Sequence, residues 1–310
     1  MIAPDQLVLG SGGVLGDVWM TGVIAGLMES GLVDPEASGA FIGTSAGSIV
    51  ATRLAVGQDL DQLIRRYIER PEPGTGTEPP GDLEPAGESS HSVSRLIAAH
   101  GATGRFIRRS ALSLIPSGKQ KLKYLERDMS ELAPEWPARL NIAVFDSRSG
   151  SRVVLNREQG DGLSVSQAVQ ASCAIPAVFR PVESPSGARY VDGGVWSPVN
   201  LDAVPAKAGQ TVVCLTPTGS AQGVMGLRRR ATAGFFRMIV RGEVARLRRR
   251  GVRVVNVVPD SNASHAIGPS RMASGRESGV FEAALAQGKE LASPLAAWLA
   301  VDRQELSFSP

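Results

Sequence analysis

"LVLGSGGVLGDVW", Leu7 to Trp19, passes from an apolar strand through a glycine-rich loop into residues with helical spacing. Strand, loop and helix in that order are the local plan of a parallel α/β sheet. Such loops offer backbone N–H groups to negative charge at the start of the helix. The glycines are Gly10, Gly12, Gly13 and Gly16. A dinucleotide fingerprint needs G-x-G-x-x-G, and here Leu15 stands where the third glycine belongs. It also needs an acidic residue at the end of the second strand to hold a ribose. Asp34 and Glu36 lie near that distance but precede the strand, which ends in "GTSAGS". A dinucleotide-binding loop over Gly10–Gly16 is therefore the alternative reading, and a loop that holds some other anion is the leading one.

Working outward, apolar Met20, Val23, Ile24 and Leu27 predict a helix over residues 16–30. "GAFIGTSAGS" predicts a second strand, a tight turn and a helix running to about Val56. "LNIAVFDSRSGSRVVLN" predicts two strands around a Ser-Gly turn, "SVSQAVQASCA" a helix, and "ARYVDGG" a strand ending in a glycine turn. "QTVVCLTPTG" and "VRVVNVVPD" are unbroken apolar runs, as expected of strands buried on both faces. Residues 278–300 predict a closing helical region broken near Pro294. Strands alternating with helices give an α/β fold with a mostly parallel sheet.

The 310 residues, 43% of them hydrophobic, suffice for one large core, and the chain is read as a single domain over residues 1–310. The segment 71–90 is rich in Pro, Gly and Glu and too poor in apolar residues to offset its ordering entropy, so a mobile loop is expected there. Residues 91–135 are expected to be partly helical and to form a cap. Cys173 and Cys214 sit in separate apolar runs, which reads as two buried thiols in a reducing compartment. The N-terminus lacks a secretory pattern and no run of about 18 apolar residues is present. A cytoplasmic protein is the expectation.

"GTSAG", with Gly43, Ser45 and Gly47, has the G-x-S-x-G form. A nucleophilic serine must project from a sharp, strained strand-to-helix turn, and the positions two before and two after must be small. An alcohol also needs a base. Of the three histidines, His91 and His100 flank the expected cap, and His265 lies in the loop-like "SNASHAIG". Ser45, Asp192 and His265 follow the chain order of an α/β-hydrolase triad, but that fold builds several strands before its nucleophile, whereas Ser45 follows the second strand. Asp192 in "YVDGGVW" is the better partner, ending a strand where two glycines allow close approach. Attack on an ester creates an oxyanion, and losing one preorganised N–H donor costs about 3–4 kcal/mol. The opening loop then has a use: Gly12 and Gly13 supply donors, and Ala46, after the nucleophile, supplies a third.

"GSGGVLG", "GTSAG", "DGG" and "ASCAIPAVFRPV", in this order, resemble the patatin-like phospholipase family from about residue 6 to residue 260. The resemblance implies a three-layer α/β/α fold. It implies lipid acyl hydrolysis by a serine–aspartate dyad, with Ser45 as nucleophile, Asp192 as base and no cofactor. A non-catalytic lipid-binding relative is the other outcome the resemblance allows. Two positions depart from the family pattern. Leu15 replaces an Arg or Lys, which removes a cation near the anion and suits a neutral ester or acylglycerol equally well. Ser11 replaces the first glycine of the triplet.

Residues 227–251 carry nine arginines against one acid, Glu243. Phe236, Val240, Val244 and Leu247 form an apolar stripe beside a row of Arg237, Arg241 and Arg248. This predicts a helix near 228–250 that covers the sheet, or one that makes peripheral contact with an anionic membrane. No aromatic interleaving accompanies the charge, so nucleic acid is not an expected partner. Trp19 and Trp196 follow the glycine loop and the DGG turn and are candidate walls of an acyl pocket. No Cys, His or carboxylate cluster has metal-binding spacing, so no metal is expected.

Overall fold

The computed structural model describes residues 4–59, 118–220 and 227–305, the backbone alone at 227–232 and 299–305. The expected loop at 71–90, His91, His100 and most of the expected cap lie outside these residues. Strand β1 (Gln6–Leu9) leads into helix α1 (Gly13–Glu29), and β2 (Ala40–Thr44) into α2 (Ala46–Ala55). Next come α3 (Lys123–Leu132), β3 (Leu140–Asp146), β4 (Ser151–Leu155) and α4 (Val165–Ser172). Strands β5 (Val182–Glu183), β6 (Arg189–Asp192) and β7 (Thr211–Leu215) follow. The remaining elements are α5 (Leu227–Arg249), β8 (Arg253–Val257), α6 (Ser261–Ile267) and α7 (Glu277–Glu305).

The strands form one sheet in the order β5-β6-β3-β2-β1-β7-β8, with β4 also paired to β3. The pairs β1–β2, β1–β7, β2–β3 and β7–β8 are parallel, and β4, β5 and β6 are antiparallel to their neighbours. Alternation along each strand splits the core in two. Leu7, Leu9, Phe41, Val213 and Leu215 point to the larger core, under α1, α2, α4 and α7. Val8, Ile42, Val212, Cys214 and Val254 point to the smaller one, covered by Val240 and Leu247 of α5. Three α/β/α layers result. The Arg-rich helix is thus seated by two residues of the stripe read from its sequence. Helix α3 joins the larger core through Leu125 and Met129.

Two expectations are corrected. Strand β7 is buried throughout, but β8 is the edge strand, so its Asn256 is exposed and its burial is interrupted. Helix α7 does not break at Pro294. That residue is exposed, so the backbone carbonyl deprived of its partner can bond water.

Sheet registry brings the ends of β2 and β6 together. Residues Leu140–Ala143 of β3 pair with β2, and Val144–Asp146 pair with β6. Strand β4 occupies the opposite edge of β3 from Ile142 to Asp146. So β2 and β6 lie end to end along one edge of β3, with Thr44 opposite Ala143 and Asp192 opposite Val144.

Helix α1 is buried at every residue from Leu15 to Leu27, as a helix apolar over most of its surface must be, with Asp17 paired to Arg53. It packs against α7 glycine to glycine, and a Cβ on Gly288 would stand 2.4 Å from the Val23 carbonyl oxygen. Gly288→Val is therefore expected to cost about 1–3 kcal/mol or more through overpacking. Urea unfolding checks this; an unchanged midpoint would refute the close packing of these helices.

Candidate active site

Ser45 sits between β2 and α2 with φ 54° and ψ −124°, a left-handed conformation that costs a non-glycine residue about 1–3 kcal/mol. The turn has no room on either side. A Cβ on Gly43 would lie 2.4 Å from Ser48 Cα, and one on Gly47 would lie 2.0 Å from the Leu9 carbonyl oxygen. The G-x-S-x-G spacing is thus a steric requirement, met at both glycines. Several bonds hold the strained residue. The Ser45 N–H donates to Ser172 Oγ at 2.8 Å, and that hydroxyl donates to the Ala143 carbonyl at 2.8 Å. The Ser45 carbonyl accepts from the Ser48 N–H and hydroxyl.

Asp192 ends β6 and is 7% exposed. Its N–H donates to the Ala174 carbonyl at 3.0 Å, and its Oδ1 accepts from the Gly194 N–H at 2.7 Å. Burial pushes its carboxyl up to about 6, while the bond from the Gly194 N–H and the nearby Ser45 hydroxyl pull the other way. The structure therefore brings Ser45 and Asp192 together. Residues 172–174 bracket them, Ser172 holding one amide and Ala174 the other. Between these two, the Cys173 thiol lies against Ser45 and Ser48; burial, then the Asp192 charge, raise its pKa, and both cysteines are free thiols.

The glycine loop closes the third side. Gly10 N–H donates to the Leu215 carbonyl and Ser11 N–H to the Pro198 carbonyl, which ties the loop to the end of β7 and to the segment after β6. No acceptor among the described residues takes the N–H groups of Gly12, Gly13 or Ala46. Gly13 has φ 64°, and a Cβ there would strike Met272 Sδ at 2.6 Å and the Arg271 carbonyl oxygen at 3.0 Å. The loop meets the DGG turn at Gly194, whose Cβ would lie 3.8 Å from Ser11 Cβ. Three turns from the carboxyl ends of β1, β2 and β6 thus converge, with unpaired amides beside a hydroxyl and a carboxyl.

The family model for patatin-like phospholipases matches residues 7–205, which takes in all three turns. The chain belongs to the patatin-like phospholipase family. Among solved structures it is similar to VipD from Legionella pneumophila, at 16% identity and a TM-score of 0.45, covering 94% of this chain and 67% of that one. It is also similar to the type III effector ExoU, at 14% identity and a TM-score of 0.40, over 94% of this chain and 53% of ExoU. A complex of ExoU with SpcU from Pseudomonas aeruginosa matches at 19% identity, a TM-score of 0.35 and 92% and 50% coverage. The chain thus spans about half the length of ExoU. No curated protein matches it in sequence.

Within this patatin-like domain some expected residues stand elsewhere. Leu15, at the family's cationic position, is fully buried, and its N–H donates to the Arg271 carbonyl. A charge there would lie in the core. Trp19 is fully buried, with its indole N–H on Gln287 Oε1 at 2.9 Å, so it is a core residue and cannot wall an open pocket. Trp196 stacks on Phe145 at 6.4 Å, with the Arg152 guanidinium 5.5 Å from its ring. His265 is exposed in the last turn of α6, a helix where a loop was expected, capped by Asp260. Among the described residues no cluster has metal-binding geometry, and no helix is long and apolar enough to cross a membrane.

Sequence reasoning missed three supporting residues. Ser172 has been described. Asn200, buried with φ 52°, donates through Nδ2 to Thr44 Oγ1 and to the Gly193 and Ser197 carbonyls, and so joins the DGG turn to β2. Asp17 pairs with Arg53 at 2.8 Å and fastens α1 to α2 just behind the turns. An isolated Asn or a small polar residue in a helix carries no signal of such contacts; the "ASCA" stretch alone offered one.

Two stability measurements test this arrangement. Ser172→Ala leaves the buried Ser45 N–H without its acceptor, and a loss of about 1–3 kcal/mol is expected in denaturant unfolding. An unchanged midpoint would refute the bridging role. For Asp192 the native carboxyl holds its proton better than the usual 3.8, up to about 6. Its contribution to stability therefore falls as pH rises through that window, and the buried carboxylate costs roughly 3 kcal/mol at pH 7. Asp192→Asn is expected to unfold at higher urea than the wild type at pH 7, with the advantage shrinking toward pH 4.

Proposed function

We propose that the protein is a serine acyl hydrolase that cleaves carboxylic esters of lipids through a Ser45–Asp192 dyad. The observation that supports this reading is the convergence of the strained Ser45, following β2, and the buried Asp192, ending β6, where those two strands meet along β3. A carboxylate in water is a poor base for an alcohol. Burial raises the basicity of Asp192 toward that of a useful general base while leaving it mostly ionised at pH 7.

In the proposed reaction the ester carbonyl carbon approaches Ser45 Oγ. As the new C–O bond forms, the Ser45 proton passes to Asp192 and the carbonyl π electrons move onto oxygen. The N–H groups of Gly12, Gly13 and Ala46 bond the resulting oxyanion; with no acceptor among the described residues, they need no rearrangement of those residues to do so. The carbonyl then re-forms, the ester C–O bond breaks, and the alcohol leaves with the proton from Asp192. Water attacks the acyl-enzyme, gives one proton to Asp192 and yields the second intermediate. Its collapse releases the carboxylic acid and returns the proton to Ser45. No histidine is used. The positive φ of Ser45 fits this reading, because a nucleophile elbow is a strained strand-to-helix turn.

Turnover of a p-nitrophenyl acyl ester tests the mechanism. Ser45→Ala is expected to lower kcat by about 10⁴-fold or more with the fold intact. A fluorophosphonate probe should label the wild type at Ser45 and fail on the variant. Wild-type turnover in Ser45→Ala refutes the dyad; failure of the wild type to label points to a lipid-binding relative without catalysis. Because the base must be ionised, kcat/KM should fall as pH drops through about 6. His265→Ala should leave activity near wild type, and a loss of several orders of magnitude would instead support a triad.

A further inference from the structure

A groove of about 870 Å³ runs between α5 and the turns that follow β7 and β8. Arg237, Arg241, Arg248 and Arg249 line it. The first three recur at spacings of four and seven residues, one face of the helix. Arg248 is fixed by a bond from Nη2 to the Val254 carbonyl at 2.9 Å. Arg237, Arg241 and Arg249 have no carboxylate partner among the described residues. The helix's own acid does not neutralise them: Glu243 is 1% exposed and accepts from the Leu201 N–H on the flank toward the smaller core. Arg246 is engaged by Asp202 on that same flank. The acid in the groove, Asp260, caps α6 through the Ala263 N–H.

Beneath this cationic rim the groove is aliphatic, with Val240, Val244 and Val258 among its lining. Three of its neutral polar side chains already have partners, and Ser261 stands exposed at its edge. Thr216 Oγ1 donates to Asn256 Oδ1 at 2.6 Å, and the Ser220 and Ser264 hydroxyls bond at 2.7 Å. A helix that merely covers a sheet needs its apolar stripe and leaves its cations over water; it has no need of guanidinium groups around an apolar trough. The groove also adjoins the candidate active site. Residues 216–220 run from one to the other, and Pro217 packs against Gly12 and Gly16 while Thr216, Gly219 and Ser220 line the groove.

We propose that this groove seats the phosphate headgroup of an anionic phospholipid and docks the protein on an anionic membrane surface. Charge complementarity selects the head and the aliphatic lining accommodates the glycerol and upper acyl carbons. An acidic peptide fits less well, because Thr216, Asn256 and Ser220 are already bonded and leave few directional donors and acceptors for a backbone. The choice of a lipid as ligand rests on the lipid acyl hydrolase reading, though the docking itself involves neither Ser45 nor Asp192.

Co-sedimentation of the full chain with vesicles tests this. Binding is expected to vesicles of phosphatidylcholine containing phosphatidylglycerol and not to phosphatidylcholine alone. It should weaken in concentrated salt, as exposed charge interactions do. Arg237→Glu/Arg241→Glu should lose about tenfold or more in vesicle affinity. Arg127→Glu on α3, an exposed cation far from the groove in sequence, should bind as wild type, and circular dichroism should show both variants folded. Equal binding to neutral vesicles, or an unchanged double variant, overturns the proposal. So does displacement by millimolar inorganic phosphate, which would make the groove a site for the free anion. Preference for an acidic peptide over the anionic vesicles would make it a peptide site instead. Ser45→Ala should sediment as wild type. That arm separates the two proposals: an inactive wild type that still binds anionic vesicles removes the hydrolase reading alone, and an active one that ignores them removes the docking alone.

Discussion

One edge of β3 governs the rest of the structure. Two strands that run in opposite directions, β2 and β6, share that edge and meet between Ala143 and Val144. A parallel strand delivers its carboxyl end from one side and an antiparallel strand delivers its own from the other. Residues 147 positions apart in sequence are thereby set on neighbouring rungs without any long side chain reaching across. The segment after α4 then fixes both partners by their amides, Ser172 at Ser45 and Ala174 at Asp192. Position is set by backbone pairing and steric exclusion, which are stiff, so the side chains at the site remain free to react.

The same place concentrates what a stable fold otherwise avoids. A non-glycine residue has positive φ, a carboxyl is buried against its preference for water, and amides of two helix starts have no acceptor among the described residues. Each is a local cost, and each has chemical meaning only together with the others. The surroundings compensate: α1 is buried along its length, the Asp17–Arg53 pair joins the two helices behind the turns, and Asn200 ties the DGG turn to Thr44.

Much of this was legible in the sequence because it is local. "GTSAG" and "DGG" owe their form to crowding within a few residues, so spacing alone reveals them, and alternation of strand and helix gives the layers. Contacts across the chain left weaker traces. Nothing near Leu15 announces that the chain returns at Arg271 to accept its N–H, or that Trp19 faces Gln287 and not a cleft. The apolar run at β8 reads like a central strand, since an edge position depends on which strands pair and not on composition. Pro294 reads as a break, but its exposure lets water take the orphaned carbonyl. For the Arg-rich helix, the stripe in the sequence names the face that packs, and only the groove beside it shows what the other face adjoins.

The packing of the first helix against the last has a consequence for how the protein is made. During synthesis α1, largely apolar, is made well before its main partner α7, which begins some 250 residues further along the chain. The stretch that roofs Gly13, at Arg271 and Met272, also arrives late. The nascent chain therefore holds a largely apolar helix and an unroofed glycine loop until the last helix of the domain has left the ribosome, a long-range closure of the kind that folds slowly and invites chaperones.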